Sequence, residues 1–538
     1  MGRKRKLQAS TICQAEGTSS ESGIDRFSNL PEEVAHHVLS FLNFKDLTRV
    51  GALSKRCRQF HLSVPVVDFG TNQWTDVKIV DLARLMSSFD RYLLDRGHNR
   101  MQRVCIGLSS FQYETVKKVS DDYSRVLKWI HNAVRCNVEE LDLYFLYRVT
   151  SMLSLPSFIF HSQSLRSLSV CSGTRTLEIV EAPSLSFSSN LRYLSLSDVK
   201  IVDERIFKWI SCCCKYLKEL SLSSIKGTQN ISIESSSLES FSFSNDDDDD
   251  DDDNDDCHLT ISGEKLENID MYWGGYKVFE SRKSTNSNTS LKIFAPNLKT
   301  LKWKGEVRNC QSLGNLKSLE EVEILLEPLK NEFDKVLEVL CSICSAQVLI
   351  INDKTIKALY KEGSTRTLIL DNIRNLSIHC ESLNNKLVPA VVSLLRRMPN
   401  LNIFCIKTRC YRLTPRTASR FGNEYWKLQN LAFIHQLKEV SIENSYGSNE
   451  IEFARYILEH AQNLKKMVIV HRDQNAPSKV AGMMSRSKMI SAASVLIRQN
   501  PKHFYTITYY GPDGISHCDF DISDSDSKSS DRDSDFQS

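Results

Sequence analysis

A short apolar motif recurs along this chain and limits the folds open to it more than any other feature. Its first, fourth and sixth residues are apolar, and six copies begin 27, 26, 26, 21 and 28 residues apart. They are Val138–Leu143, Leu165–Val170, Leu191–Leu196, Leu217–Leu222, Leu238–Phe243 and Leu266–Met271. Later copies begin, at irregular intervals, at Leu298, Leu319, Leu401, Leu437 and Leu464. Such a repeat indicates one structural unit that stacks on copies of itself.

Each copy predicts a short strand that is not stable alone. Its last three residues alternate apolar, polar, apolar, so one face of the strand is buried. Stacked copies share a core and form a parallel sheet. Periods of roughly 20–29 residues are typical of leucine-rich repeats. The predicted fold class is therefore α/β, with a small all-α unit of three helices followed by a curved leucine-rich-repeat solenoid with parallel strands.

The polar residue between the last two apolar residues of each motif faces the open, concave side of the predicted sheet. That side is the expected binding surface for a target protein. The candidate target-binding residues are Asp142, Ser169, Ser195 and Ser221.

The segments between the motifs differ in character. Residues 201–216 place Ile206, Ile210 and Cys213 on one side of a predicted helix, which would pack against the back of the sheet. Residues 246–256 contain ten Asp, and so dense a charge predicts a solvated loop over residues 244–258. A calcium site is the alternative, but the run lacks the turn glycine that such loops use.

Composition divides the chain into six segments. We expect a disordered basic N-terminus over residues 1–23, a helical block over 24–69 and a mostly helical linker over 70–135. The repeats follow over residues 136–430, a further repeat unit over 431–512 and an acidic disordered tail over 513–538. Residues 325–400 match the repeat least well, so the register there stays open.

The net charge of +3 conceals a basic folded part. The Asp run carries −10 and residues 519–538 carry −5, which leaves +18 on the rest of the chain. The 16 cysteines lie in a chain without a visible export signal, so we expect reduced thiols. No apolar stretch is long enough to predict a membrane helix.

Sequence motifs for chemistry are not apparent. The chain shows no phosphate-binding glycine loop, no nucleophile elbow and no metalloprotease motif, so we predict neither an enzyme nor a cofactor. Cys341 and Cys344 form one pair without a second pair at zinc-finger spacing. We expect them to be thiols in the core of a helix rather than metal ligands.

The block over residues 24–69 predicts three short helices with more apolar surface than they can bury. Pro31, Glu32 and Glu33 favour the start of the first helix, and a basic turn near Lys55 and Arg56 follows the second. The apolar residues at helical spacing are Val34, Val38, Phe41 and Leu42, then Leu47, Val50 and Leu53. About 40 residues cannot form a self-sufficient core without disulfides or a metal. The block must therefore dock onto the rest of the chain or onto another protein.

This block resembles the F-box. The resemblance rests on Leu30-Pro31-Glu32-Glu33-Val34, on Val38-Leu39-Ser40-Phe41-Leu42 and on Leu53-Ser54-Lys55-Arg56. Plant F-boxes usually carry Trp at the next position, where this chain has Cys57, and the smaller side chain is expected to weaken docking.

The resemblance continues downstream. Val64–Phe69, Trp129–Val134 and Leu155–Phe160 are similar to segments between the F-box and the repeats of plant F-box proteins. Leu437–Val470 resembles the strand–helix–strand FBD module that closes them. Over roughly residues 24–500, the chain is thus similar to plant F-box/leucine-rich-repeat proteins with a C-terminal FBD-like module.

The resemblance implies a non-catalytic receptor. Such proteins are substrate-recognition subunits of SCF-type cullin–RING ubiquitin ligases. The F-box binds an SKP-type adaptor, and through it the cullin, while the repeats bind a target protein for ubiquitination. The residues expected to form or brace the adaptor interface are Leu30, Pro31, Val34, Leu39, Leu42, Leu47, Val50 and Leu53, with Lys55 and Arg56 on its rim. Whether a small molecule assists target binding stays open.

Charge supports an alternative function. The basic folded part and the cluster Arg3-Lys4-Arg5-Lys6 suit a nuclear leucine-rich-repeat scaffold that binds protein or nucleic acid without ubiquitination. Because no motif with interleaved aromatic and basic residues is visible, nucleic acid is the less favoured partner, and no membrane partner is predicted. The expected location is the nucleus, the cytoplasm or both.

Overall fold

Parallel strands, repeated along most of the chain, are the main element of the fold. The computed structural model describes residues 26–70, 79–108, 119–145, 153–173, 177–245, 257–274, 289–314, 316–329, 332–360, 369–408, 421–445, 448–471, 482, 489–499, 504–511 and 514–521. The predicted α/β class, with N-terminal helices ahead of a parallel-strand solenoid, is confirmed.

Three short helices begin the described chain: α1 (Glu32–Leu39), α2 (Phe44–Gly51) and α3 (Lys55–Ser63). The side chain of Asn43 caps α2 by accepting from the backbone N–H of Asp46 at 3.0 Å, and Ser54 caps α3 by accepting from that of Cys57 at 3.0 Å. Polar N-caps of this kind satisfy backbone donors that a helix start leaves unpaired. Helix α1 ends at Leu39, and Asn43 begins the second helix.

Strands and helices then alternate up to residue 145. The elements are β1 (Val66–Phe69), α4 (Ile79–Arg96), β2 (Arg103–Leu108), α5 (Val119–Arg135) and β3 (Glu140–Phe145).

The middle of the chain, residues 153–326, consists mainly of strands. They are β4 (Leu153–Ser154), β5 (Ser167–Cys171), β6 (Leu177–Ile179), β7 (Tyr193–Ser197), β8 (Val199–Ile201), β9 (Glu219–Ser223), β10 (Asn230–Glu234), β11 (Ser240–Asn245), β12 (His258–Ser262), β13 (Asn268–Trp273), β14 (Ser290–Phe294), β15 (Thr300–Gly305), β16 (Cys310–Ser312) and β17 (Glu321–Leu326). Between β8 and β9 lies the predicted helix, α6 (Arg205–Cys213), which buries Ile206, Ile210 and Cys213 as expected.

Helices return after residue 332. The elements are α7 (Phe333–Ser342), β18 (Val348–Asn352), α8 (Asp353–Tyr360), β19 (Asn375–Cys380), α9 (Val388–Leu395), β20 (Ile403–Thr408), α10 (Asn423–Leu428), β21 (Glu439–Ser445), α11 (Ser448–His460), β22 (Lys466–His471) and β23 (Ser494–Gln499). An antiparallel hairpin, β24 (Phe504–Gly511) and β25 (Gly514–Asp521), follows.

Sixteen strands form one parallel sheet, in the order β1-β2-β3-β5-β7-β9-β11-β13-β15-β17-β18-β19-β20-β21-β22-β23. Equivalent motif positions pair without offset, so that Leu141, Leu168, Leu194 and Leu220 are successive neighbours. All four are buried. The repeated leucines thus form continuous buried rows beneath the sheet, as the stacking argument requires.

The back of the solenoid changes character along its length. Between residues 153 and 312 it carries two small parallel sheets, β4-β6-β8 and β10-β12-β14-β16. From α7 onward it carries helices. Gly305 marks a close approach in the strand region, because a Cβ at this positive-φ residue would lie 1.7 Å from the backbone oxygen of Trp273.

The sheet begins earlier than the sequence predicts. The stretch over residues 70–135, expected to be mostly helical, contains β2, and β1 already belongs to the sheet. The spacing of the motif is present there with other apolar residues, as Val64, Val67 and Phe69 and as Met101, Val104 and Ile106, all buried. The same holds in the poorly matching region 325–400, where β18 and β19 supply two repeats.

The acidic segments lie largely outside the described residues. The Asp run at 246–256 is one of them. Strand β11 before it ends at Asn245, and strand β12 after it begins at His258. The predicted loop boundaries, 244 and 258, therefore fall within strands. Residues 1–23 also lie outside. Of the tail predicted over residues 513–538, residues 514–521 form β25, and residue 513 and those from 522 lie outside the described chain.

Candidate protein-binding surfaces

Helix α1 is apolar on two sides. Ala35 and Leu39 are buried against the rest of the protein. Val34 and Val38, one turn apart on α1, are 45% and 44% exposed, and Phe41, two residues beyond the end of α1, is 76% exposed. We call these three residues, with the exposed Pro31, the outer F-box surface. A helix that is apolar on its solvent side as well as its core side has a surface suited to a partner.

The inner side of the helices packs on the first strands of the solenoid through aromatic rings. The ring of Phe44 lies 5.5 Å from that of Phe69, 4.8 Å from that of Phe89 and 5.3 Å from that of Tyr92. All four residues are buried. An ion pair between Arg58 and Asp95, at 3.0 Å, adds a polar contact. The block therefore docks on its own chain and still keeps an apolar outer side.

The predicted adaptor residues divide into three groups by exposure. Pro31, Val34, Leu53, Lys55 and Arg56 are exposed. Leu30, Leu42 and Val50 are partly buried and pack against the core. Leu39 and Leu47 are fully buried, so a direct contact with a partner is wrong for these two, and they can only brace the helices.

Phe41 is not among the predicted adaptor residues, although at 76% exposed it is more exposed than Val34 and Val38. Its ring contacts the edge of the His37 ring at 5.1 Å. The apolar stripe in the sequence contains Phe41, but spacing alone does not tell which side of α1 faces the core.

Cys57 faces the interior of the helical block. It is buried, and its Sγ lies 3.7 Å from the Oγ of Ser28. Position 57 thus belongs to the packing between the helices, and the expected weakening of docking by Cys in place of Trp stays a prediction.

The concave face of the sheet carries a row of small polar residues. Register pairs them strand by strand: Asp142, Ser169, Ser195, Ser221, Ser242 and Asp270. A cavity of about 590 Å³ lies along this row, and we call it the serine groove. The short serine side chains leave space above the strands that the larger residues of other repeats would fill.

The structure brings all four predicted target residues together in the serine groove. On this concave side, Asp142, Ser169 and Ser195 are buried at the floor of the groove, and Ser221 is half-buried. The curvature and the closeness of neighbouring strands shield them. Sequence reasoning missed the residues above the floor, among them Arg103, Tyr193 and Glu219.

Arg103 and Asp142 form the main ion pair of the groove. Nε and Nη2 of Arg103 donate to the same oxygen of Asp142 at 3.1 and 2.9 Å, and Glu140 lies 3.8 Å from the guanidinium. The register places Arg103 beside Glu140 and Cys105 beside Asp142. The pair could not be found while residues 70–135 were interpreted as mostly helical.

The cysteines of the concave face have the properties of packed thiols. Burial raises the pKa of Cys171 to about 11, and it raises the pKa of Cys105 above its usual range. Both therefore stay protonated at neutral pH. Cys341 and Cys344 are exposed, so the expectation that they lie in the core is wrong: α7 buries Val336, Leu337 and Leu340 on its other side.

Among the described residues, no helix has the length and apolarity needed to span a membrane. No group of three or more metal-ligating side chains lies close enough to hold an ion in the same part of the chain.

Three family models match the chain. The F-box domain matches residues 27–60, which hold α1 to α3. The leucine-rich repeats of an FBD-associated F-box protein, At5g56370, match residues 126–304. The FBD matches residues 433–469, which hold β21, α11 and most of β22. The predicted strand–helix–strand unit is confirmed in position and in element order.

Similar proteins come from Arabidopsis thaliana. The putative F-box/FBD/LRR-repeat protein At4g03220 is 24% identical over 83% of this chain and 89% of its own length. Another, At5g22610, is 24% identical over 83% of each chain. The F-box/LRR-repeat protein At3g59200 is 32% identical over 37% of each. With helices, sheet and closing unit in the order that these matches share, the chain is a plant-type F-box/leucine-rich-repeat protein with a C-terminal FBD.

Proposed function

We propose that this protein is the substrate-recognition subunit of an SCF-type cullin–RING ubiquitin ligase. The observation that carries the proposal is the outer F-box surface: Val34, Val38 and Phe41 remain exposed after the inner side of the same helices has docked on the solenoid. Apolar residues aligned on one side of a helix are suited to a groove or helix on a partner. The F-box match makes an SKP-type adaptor the expected partner, with the cullin bound through it.

The proposed role needs no chemistry from this chain. A receptor that holds a target close to the charged ubiquitin carrier turns a bimolecular transfer into an effectively intramolecular one. The rigid sheet between the F-box and the far repeats would fix the distance between adaptor and target. The concave face would hold the target.

Co-purification with a plant SKP-type adaptor tests the proposal. We expect wild-type protein to bind and the double variant Val38→Glu/Phe41→Glu to lose binding, because two charges would enter an apolar interface. Both side chains are exposed, so the fold should persist. Leu428→Glu is the matched control, since Leu428 is 80% exposed at the end of α10 and far along the chain from the F-box.

Retained binding by the double variant would rule out the outer F-box surface as the adaptor site. Leu30→Ala/Pro31→Ala is a less direct test, because Leu30 is partly buried against the core and its loss would also disturb packing.

Salt separates the proposal from its alternative, a nuclear scaffold that binds protein or nucleic acid without ubiquitination. Binding to nucleic acid by a basic surface falls steeply with salt, whereas apolar docking of helices does not. We propose a location in the nucleus, the cytoplasm or both, on the basis of the Arg3–Lys6 cluster. Imaging of a fluorescent fusion with and without that cluster tests the location.

A further inference from the structure

The serine groove is an acidic cavity with unsatisfied hydroxyls. Among the described residues that line it there are five carboxylates and one guanidinium, a net −4 when all are ionised. The carboxylates belong to Glu140, Asp142, Asp198, Glu219 and Asp270. This contrasts with the net charge of +18 outside the two acidic segments.

The one cation of the groove is already engaged. Arg103 donates twice to Asp142 and lies beside Glu140. Glu219 and Asp270, on β9 and β13, lie beyond this pair. On the next strand, β15, Lys302 lies opposite Asp270 in the register, and Lys304 is held by Glu323 at 3.3 Å. Burial raises the pKa of Asp270, because the nearby lysines do not offset the loss of water around its carboxyl. A further cation would lower the energy of this part of the groove.

The floor of the groove offers hydrogen bonds that no described residue uses. Ser169 is only 3% exposed, and its Oγ has no hydrogen-bond partner within the part of the chain that the structure describes. The Oγ of Ser244, at the other side of the groove, is in the same situation. A buried hydroxyl without a partner is costly by about 1–3 kcal/mol, and a ligand that reaches it removes that cost.

We infer that the serine groove binds a basic, extended segment of the target protein. Glu219 and Asp270 lie two strands and two residues apart in the register, ~12 Å at the usual strand and residue spacings. Two cationic side chains two to four residues apart in an extended peptide span roughly 7–13 Å. Lysine or arginine side chains at that separation can meet both carboxylates, while the peptide groups and the serines exchange hydrogen bonds. An acidic or phosphorylated segment is excluded by the charge of the cavity.

This inference rests on the proposed function, because it names the class of target that the receptor would take. Its test uses the full-length protein in which the ten Asp of residues 246–256 are replaced by Ser, so that the run does not bind the probe itself. The probe is a fluorescein-labelled peptide of alternating Arg and Ser. The same peptide with Glu, and with Gln, in place of Arg supplies the comparisons.

We expect the Arg peptide to bind at physiological ionic strength and the Glu and Gln peptides to bind much more weakly. The variant Glu219→Gln/Asp270→Asn should weaken the Arg peptide by at least about tenfold. Glu338→Gln/Glu424→Gln, two exposed carboxylates outside the groove, is the matched control and should leave the affinity unchanged.

Charge reversal adds a readout that misfolding cannot imitate. Glu219→Lys/Asp270→Lys should lose the Arg peptide and gain the Glu peptide. Equal affinities for all three peptides, or an Arg peptide that binds the amide variant as tightly as the parent, would overturn the inference.

Adaptor co-purification on the same preparations separates the two proposals. Groove variants should bind the adaptor like the parent protein. If the adaptor binds and the Arg peptide does not, the groove inference alone fails. If the Arg peptide binds and the adaptor does not, the receptor proposal fails and the groove remains a binding site for basic segments.

Discussion

The two ends of the solenoid use amphipathic helices in different ways. At the first end, α1 buries Ala35 and Leu39 and exposes Val34 and Val38. At the other end, α11 lies in the FBD, and none of its described side chains from Asn449 to His460 is exposed. Both helices are rich in apolar residues. The two helices differ in how many of these apolar residues are covered by neighbouring elements. Helix α1 keeps an exposed apolar surface, and the described part of α11 does not.

The C-terminal helix is covered from two directions. On one side, the ring of Phe453 lies 4.4 Å from the ring of Trp426 in α10 and 5.6 Å from that of Phe404 in β20. On the other side, Asn449 and Glu450 bind both backbone polar groups of Leu383: Nδ2 of Asn449 donates to the Leu383 carbonyl at 2.8 Å, and a carboxylate oxygen of Glu450 accepts from the Leu383 N–H at 3.1 Å. Val34 and Val38 are exposed, and no described residue packs over them in this way.

The largest effects are expected from the aromatic residues that fix each end. Phe44→Ala and Phe453→Ala should each lower the local free energy of unfolding by about 3–5 kcal/mol, because each removes a fully buried ring. In a stacked array the loss should stay near its own end. Hydrogen exchange measured along the chain would show this, and equal loss of protection at both ends by either variant would contradict it.

Loss of the hydrogen bond from Asn449 to the Leu383 carbonyl should have an intermediate effect on stability. Asn449→Ala leaves the buried carbonyl of Leu383 without this donor and should lower stability by about 1–3 kcal/mol. Asn463→Ala is the control: it also loses a bond to a backbone oxygen, that of His435, but at an exposed site. Urea unfolding of the two variants measures the difference. If Asn449→Ala lowers the free energy of unfolding no more than Asn463→Ala does, the bond to Leu383 does not stabilise the C-terminal end.

The two ends should respond to acid in opposite directions. Burial against Tyr92 lowers the pKa of His61 to about 4, with Arg58 and Arg96 acting in the same sense. His61 thus favours the folded state fully above pH 6.5, and this contribution is lost as the pH falls towards 4. Allowing for partial exposure to solvent, the loss is on the order of 1–2 kcal/mol. Hydrogen exchange over that range should show weaker protection of α3, and His61→Leu should abolish the pH dependence.

At the C-terminal end, burial raises the pKa of Glu450. The folded state therefore binds a proton more tightly than the unfolded state, so the stability contributed by this group falls as the pH rises above about 4.5, the ordinary value for Glu. Protection of α11 should rise on acidification, and Glu450→Gln should remove that rise. The same sign of pH dependence at both ends would contradict the contrast.

The smallest effect on stability is expected at the outer F-box surface. Phe41→Ala should change the free energy of unfolding by less than about 0.5 kcal/mol, because its ring is mostly in solvent. Adaptor binding should nevertheless fall. Leu428→Ala, at a similarly exposed site, should change neither quantity. A large loss of stability in Phe41→Ala would mean that this side of the block is part of the core.

The repeat could be predicted because its physics is local. An apolar pair separated by one polar residue is enough to define a strand with one buried face, so the rows through Leu141 and Leu168 could be inferred from the sequence. The strands that contain Val104 and Leu349 are not among the predicted copies of the motif. Their spacing is the same, with Met101, Val104 and Ile106 and with Ala346, Leu349 and Ile351.

By itself the sequence determined the class of fold, the order of F-box, repeats and FBD, and the strands that carry the six regular copies of the motif. The tertiary structure alone decided which side of α1 faces the core, because Val34 and Ala35 belong to two apolar stripes and only the docking of Phe44 chooses between them. The tertiary structure also formed the serine groove. This cavity requires neighbouring strands in register and the ion pair between Arg103 and Asp142, and these chain segments meet only when the repeats stack.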